Sequence, residues 1–368
     1  MSTLRLCVLM AATLLASVAI AAPRKVIIDQ DALGPGGPNL QPILMLLQAE
    51  DVEVLGITVV SGDGWRDEEV AHTLRLLEIS GRTDIPVVPG AVMPLVNSPA
   101  RTKAWERTYG KLYYKGAWTE KFGDEGSVKR APPHPDNPYL IPPSPAGAPT
   151  TKALDESAAT FLIRKVREFP GQITIIAAGP LTNLALASRL DPKFAGLAKE
   201  LVFMGGSFNP VPAQNHFAAE YVNSPRREFN MRFDPEAASI VLREPWARVM
   251  QIPVDPTTRT FFKPEYYEQI GRGRAAFRDY VKAYGESFPM WDELAVGVWL
   301  DPSLVTRSAT LAVDIETSFT AGYGDTLSWP VGEGPGLGER AVLVVQEVDV
   351  ARFEKMTVEL LSRPSRRR

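Results

Sequence analysis

Two aspartates one residue apart, Asp29 and Asp31, close a short apolar run, Val26-Ile27-Ile28. A loop rich in Gly and Pro follows. Beyond it, residues 40–49 carry apolar side chains at 40, 43, 44 and 47, the spacing of one helix face. Run, acidic pair, loop and helix describe a strand that ends in a polar site. Two carboxylates at one strand end can hold a hard cation or activate a water. The plainer alternative is that Asp29 caps a turn and Asp31 is solvated. A second polar strand end, Ser61-Gly62-Asp63-Gly64-Trp65, follows the nearly all-apolar residues 52–60.

The elements around these residues alternate. Residues 67–80 read as a helix and 85–88 as a short strand, which makes β-α-β-α-β and argues for a parallel sheet. In an open sheet of this kind, ligands bind at the carboxyl ends of the strands. Asn39 and Pro42 suit the start of the first helix, as N-cap and first-turn residue. About residues 91–150 break the rhythm with many Pro, Tyr and Trp, Trp105 among them. The spacing there predicts a long loop insertion, either a lid at a strand end or an excursion packed by its own aromatics. The rhythm then resumes: a helix over 155–168, a strand over 172–178, and Gly179-Pro180-Leu181-Thr182-Asn183 leading into another helix. Strands at 201–204 and 247–252, a helix opened by Asp234, a helix over 293–300 and a β-rich last third complete the chain. The expectation is an α/β protein with an open, mostly parallel, Rossmann-like central sheet flanked by helices.

The sequence has 368 residues, is 45% hydrophobic and has a formal net charge of −3. Such a balance gives no electrostatic case for nucleic acid or an anionic membrane. Arg5 precedes an apolar stretch ending in Ala19-Ile20-Ala21, so residues 1–22 read as a secretory signal peptide and 23–368 as a single domain. The one cysteine, Cys7, lies in that leader. A periplasmic or secreted protein without disulfides is expected, with no membrane attachment after signal removal.

Four pieces in order, VIIDQD at 26–31, AAGPLTNLALA at 177–187, FMGGSF with EFNMRFDPEAA at 203–208 and 228–238, and WDELAVGVWLDP at 291–302, resemble the nucleoside hydrolase family. The resemblance spans residues 25–355. It implies the nucleoside hydrolase fold and hydrolysis of the N-glycosidic bond of ribonucleosides to base and ribose. It further implies Ca2+ held by Asp31, Asp292 and the Ala178 carbonyl, with Asp31 also the general base. Asn223, Glu228 and Asn230 are then the ribose contacts, and Asp29 supports the site from behind. Glu228 and Asn230, at alternate positions, would share one side of an extended segment.

The sequence departs from the family in two places. Where the family has two adjacent aspartates after the DxD, this chain has Asn39 near Pro38 and Leu40. Asn39 can offer calcium an oxygen but no charge, so weaker metal binding is expected; a simple helix cap is the other reading. Trp291 stands where many members have His. With Trp105 and Asp63 it resembles the purine-preferring members, in which indoles sandwich the base. The expected partner is a small-molecule ribonucleoside, with a homo-oligomer left open. Alternatives are a non-catalytic nucleoside- or sugar-binding relative and a hydrolase of another N-ribosyl compound.

Overall fold

Alternate residues of the first strand serve two cores. Val26 and Ile28 pack into one and Ile27 into the other, all fully buried. A strand buried on both faces reads as a continuous apolar run rather than an alternating one. The computed structural model describes residues 22–112, 114–120, 136–210, 226–270, 279–280 and 287–363.

Among these residues nine strands form one sheet in the order β3-β2-β1-β4-β5-β6-β9-β7-β8. In chain order they are β1 Arg24–Gln30, β2 Val52–Val59, β3 Val87–Pro89, β4 Ile173–Ala177, β5 Glu200–Met204, β6 Val249–Ile252, β7 Val305–Ile315, β8 Thr326–Pro330 and β9 Arg340–Val348. β1 to β6 are parallel, β9 joins β6 in parallel, and β7 runs antiparallel to β8 and β9. The chain builds outward from β1 through β2 and β3, then returns to place β4 on its other side. That reversal makes a switch point at the carboxyl end of β1, where adjoining loops part and leave room for a ligand. Asp29 and Asp31 lie there.

The helices follow from local chemistry. α1, Gln41–Gln48, carries Pro42 in its first turn, where the missing N–H costs nothing. Asn39 does not cap it: the N-cap is Leu40, with no side-chain bond. α2, Arg66–Ser80, has Asp67, Glu68 and Glu69 in its first turn, where carboxylates favour the helix dipole. The expected loop insertion also contains a helix, α3, Pro99–Tyr109, which starts where Ser98 accepts the Arg101 N–H at 3.2 Å. The Tyr- and Pro-rich composition hid that capped turn. α4, Ala158–Glu168, and α5, Thr182–Leu190, cover one sheet face. α1, α2 and the helices Trp291–Leu300 and Val350–Ser362 cover the other.

The far half of the insertion straps onto α2. The Glu78 carboxylate accepts both N–H and hydroxyl groups of Thr150 and Thr151, while Arg75 Nε donates to Ala146 O. Burial pushes the Glu78 carboxyl up. The Thr151 amide, Arg75 and the Thr150 donors outweigh it and hold the pKa at about 2, against an ordinary 4.5. A depressed folded pKa stabilises above the unfolded value and loses that stability as pH falls from 4.5 toward 2. Discounted for solvent screening, the strap contributes about 1–2 kcal/mol. Glu78→Gln should lower urea stability by that amount at pH 7 and by almost nothing near pH 2. An equal deficit at both pH values would show that the strap is not electrostatic.

Candidate active site

At the end of β1 the two aspartates are buried and differently employed. Asp29 pairs with Thr58 of β2 and Ala177 of β4 in the sheet register. Its Oδ2 accepts the Thr58 hydroxyl at 2.5 Å and Asn183 Nδ2 at 2.8 Å, and the Asn183 carbonyl takes the Ala91 N–H at 2.8 Å. Burial raises Asp29 to about 7 against the pull of Thr58 and Asn183. It ties three strand ends together.

Asp31 stands one step further out, with both oxygens engaged. Oδ2 accepts the Asp63 N–H at 3.0 Å, and Oδ1 accepts Asn39 Nδ2 at 3.2 Å. The side chain fits between two glycines. A Cβ at Gly62 would fall on its Oδ2, and one at Gly179 would lie 2.8 Å from its backbone N and 3.0 Å from its Oδ1. The Ala178–Gly179 peptide therefore borders the Asp31 carboxylate.

The decisive geometry is provided by Gln30, which the sequence reading did not single out. Its amide nitrogen donates to Asp292 Oδ2 at 2.7 Å and reaches Asp31 Oδ1 at 3.5 Å. One nitrogen touches both carboxylates, so residues 261 positions apart meet in one buried spot, Asp31 1% and Asp292 3% exposed. Asp292 comes from the first turn of Trp291–Leu300. Burial first, then the charges of Asp63 and Asp292, raise the Asp31 pKa well above the carboxylate range. Burial, then Asp63 and Glu228, do the same to Asp292 against the Gln30 bond. A raised pKa makes such a carboxylate a stronger proton acceptor.

The donor set can be tested against a cation. Asp31, Asp292, Asn39 and the Ala178 carbonyl are hard oxygen groups, the kind calcium prefers. The buried Asn39 Oδ1 and Gln30 Oε1 have no hydrogen-bond partner among the described residues. A half-turn of the Asn39 amide about its Cβ–Cγ bond would point its oxygen inward. Two mutually repelling buried carboxylates beside orphaned oxygens fit a cation. The charge is lean: among the described residues no three or more His, Cys, Asp or Glu side chains form a group that could hold a metal.

Other expected site residues are placed differently from the sequence reading. Glu228 and Asn230 do not lie on an extended segment. Glu228 caps a short helix, Phe229–Phe233, accepting the N–H groups of Gly206, Asn230 and Met231 at 2.8–3.0 Å. Asn230 Nδ2 donates to Met204 O at 3.2 Å. Both stand at the end of β5; Glu is not a favoured N-cap residue, so no local signal marks this helix start. Asp63, partly buried, takes the Tyr114 hydroxyl at 2.8 Å. Trp105 is committed to packing: its Nε1 donates to Thr320 O at 2.7 Å and Arg227 covers its ring. A base stacked on the Trp105 face that Arg227 covers would have to displace the guanidinium. Trp291, half-buried, leans on the core beside Asp292. Trp65 is core, with Trp118, Phe229 and Phe233. Asp234 is the expected cap, accepting the Ala237 N–H at 3.1 Å, and it also takes the Thr182 hydroxyl. His72 is buried in α2 beside Glu68. Asn223 and His216 lie outside the described residues.

Comparison with known proteins bears directly on this arrangement. The model of the inosine-uridine preferring nucleoside hydrolase family matches residues 26–355. The chain belongs to that family. Nucleoside hydrolases cleave N-glycosidic bonds of ribonucleosides, so the chain is a hydrolase acting on small-molecule ribonucleosides. It is 29% identical to a probable uridine nucleosidase of rice, over 92% of this chain and 97% of the relative. It is 31% identical to a uridine nucleosidase of Arabidopsis thaliana, over 75% of this chain and 69% of the relative. The solved structure of a plant nucleoside hydrolase superposes with a TM-score of 0.70 at 28% identity, covering 93% of this chain and all of that one. Nucleoside hydrolases are commonly calcium-dependent.

The expected periplasmic or secreted localisation is corrected by the same comparison. The rice relative aligns over 92% of this chain and the Arabidopsis relative over 75%, and both are plant proteins rather than bacterial periplasmic ones. The apolar leader pattern carried that expectation alone, and residues 1–21 lie outside those described. Among the described residues no helix is long and apolar enough to cross a membrane.

Proposed function

We propose that this nucleoside hydrolase uses Asp31 as the general base that activates water against the ribosyl carbon. The single observation that carries the reading is Gln30 Nε2, which reaches both Asp31 and Asp292. In this scheme Asp31, Asp292, Asn39 and the Ala178 carbonyl would hold Ca2+. When bound, calcium lowers the pKa of a water and offsets the buried negative charge. Asp31 Oδ1 or Oδ2 would take a proton from the attacking water as its oxygen bonds the ribosyl carbon and the C–N bond breaks, the base leaving with that electron pair and gaining a proton from solvent. The ribose becomes cation-like in such a cleavage, and the surrounding carboxylates favour that charge. Glu228 and Asn230, with Asn223, are proposed to hold ribose hydroxyls, supported by the place of Glu228 and Asn230 at the end of β5. Asp63 would orient substrate from the end of β2, and Asp29 braces β1 from behind. We also read residues 23–368 as one domain, supported by a single sheet running from Arg24 to Val348.

Base preference has two readings. Trp291 next to Asp292 supports a purine, since an indole face can stack on one and favour its protonated form. Uridine is favoured by the names of the rice and Arabidopsis relatives and by the engagement of Trp105 with Arg227 and Thr320. Incubation with inosine, adenosine, guanosine and uridine, followed by chromatography of the freed base, separates them. Release from at least one nucleoside is expected, falling about 10-fold or more after chelation and recovering with added calcium. No release from any of the four by folded protein would reject the activity. Release that ignores chelation would reject the calcium part alone.

A further inference from the structure

Glu69, on α2, is a fully buried acid beside the proposed base that the scheme above leaves without a role. Its Oε1 accepts the Gly64 N–H at 2.7 Å, while its Oε2 has no hydrogen-bond partner among the described residues. Gly64 O accepts the Gly62 N–H at 3.0 Å, and the Asp63 N–H, on the residue between, donates to Asp31 Oδ2 at 3.0 Å. A Cβ at Gly64 would lie 3.2 Å from Glu69 Oε1 and 2.8 Å from Leu33 Cδ1, so the carboxyl is packed directly beneath this turn. Burial, and then the charge of Asp31, raise its pKa well above the ordinary range. An acid in this place is costly, and an apolar side chain would fill the space without that cost. What the carboxyl alone supplies is an acceptor for Gly64.

We propose that Glu69 is a positioning residue for Asp31: its carboxyl fixes the turn at 61–64, and the turn's Asp63 N–H fixes the Asp31 carboxylate. The proposal rests on Asp31 acting as the base. Two variants separate acceptor from bulk. Glu69→Gln keeps an oxygen that can accept from Gly64, and Glu69→Leu fills the space without one.

Two readouts are needed, and both use the full chain. Amide hydrogen exchange at Asp63 reports the turn whether or not the enzyme turns over. Steady-state kinetics are taken with whichever of inosine or uridine reacts faster. In Glu69→Leu the Asp63 amide should exchange about 10-fold faster or more, with the β1 and β4 amides unchanged. Its kcat should fall about 10-fold or more while KM stays within about 2-fold. Glu69→Gln should return both to within about 3-fold of wild type. Loss of kcat in both variants alike, or faster exchange spread through the whole sheet with kcat unchanged, would overturn the proposal. If wild type frees no base, the hydrolytic reading fails by itself. Unchanged Asp63 exchange in Glu69→Leu would separately overturn the link from Glu69 to the turn.

Discussion

Asp31→Asn should cut kcat about 1,000-fold, within the range general-base removal gives, and should leave the protein folded. The two side chains are nearly the same size, and an Asn oxygen can still accept the Asp63 N–H that Asp31 Oδ2 now takes at 3.0 Å. What disappears is the ability to accept a proton, together with one charge of the proposed calcium shell. Stability should move the other way. Asp31 is 1% exposed, and burial followed by the charges of Asp63 and Asp292 raises its folded pKa. A raised carboxyl pKa means that folding binds protons, so the ionised group costs stability once pH passes its unfolded value. Replacing it with a neutral amide removes that cost near neutral pH. Thermal melting in the presence of a chelator, which removes the stabilisation by bound calcium, should therefore show an unchanged or higher midpoint alongside the lost turnover. A variant retaining more than about a tenth of wild-type kcat would show that another group is the base.

Why Asp31 was legible in the sequence while its neighbours were not is a matter of range. The strands β1, β2, β4 and β5 announce themselves because their stretches buried on both faces are nearly all apolar. The acidic pair follows β1 directly, so chain direction alone puts it at a carboxyl end. Other assignments needed contacts that local patterns do not carry. Asn39 reads as a helix cap by type, yet its amide goes to Asp31 and Leu40 holds the cap position. Glu228 and Asn230 read as alternate positions of an extended segment. Glu228 instead has amides to satisfy at Gly206, Asn230 and Met231, and closing that bond set winds the next residues into a helix. Trp105 looked available because its covering groups, Arg227 and the Thr320 carbonyl, arrive from distant parts of the chain. Gln30 sits between two conspicuous aspartates and was passed over, although its length lets it reach across to Asp292.

Gly62→Ala should cost about 100-fold in kcat, the scale expected when a reacting group is moved by about 1 Å. The reason is space rather than backbone freedom, since Gly62 is not among the glycines with positive φ. An added Cβ would fall on Asp31 Oδ2 and stand 2.7 Å from Asp31 Cβ and 2.8 Å from its Cγ. Asp31 has little room to yield, because on its other side Gly179 is tight enough that a Cβ there would stand 3.0 Å from Oδ1. The turn cannot simply back away either. Gly62 O takes the Ala117 N–H at 2.9 Å, and the next residue's carboxylate is held by the Tyr114 hydroxyl. Rotating the Asp31 carboxylate off its bonds to Asp63 and Asn39 leaves the 2.7 Å contact with its Cβ, so the backbone at Asp31 or Gly62 must shift as well, at an overpacking cost of about 1–3 kcal/mol. The matched control is Gly196→Ala, where the nearest atom to an added Cβ is Pro245 O at 3.7 Å. That variant should keep wild-type kcat and stability within experimental scatter. If Gly62→Ala matched it in kinetics and in melting, the close fit around Asp31 could not be what holds the proposed base in place.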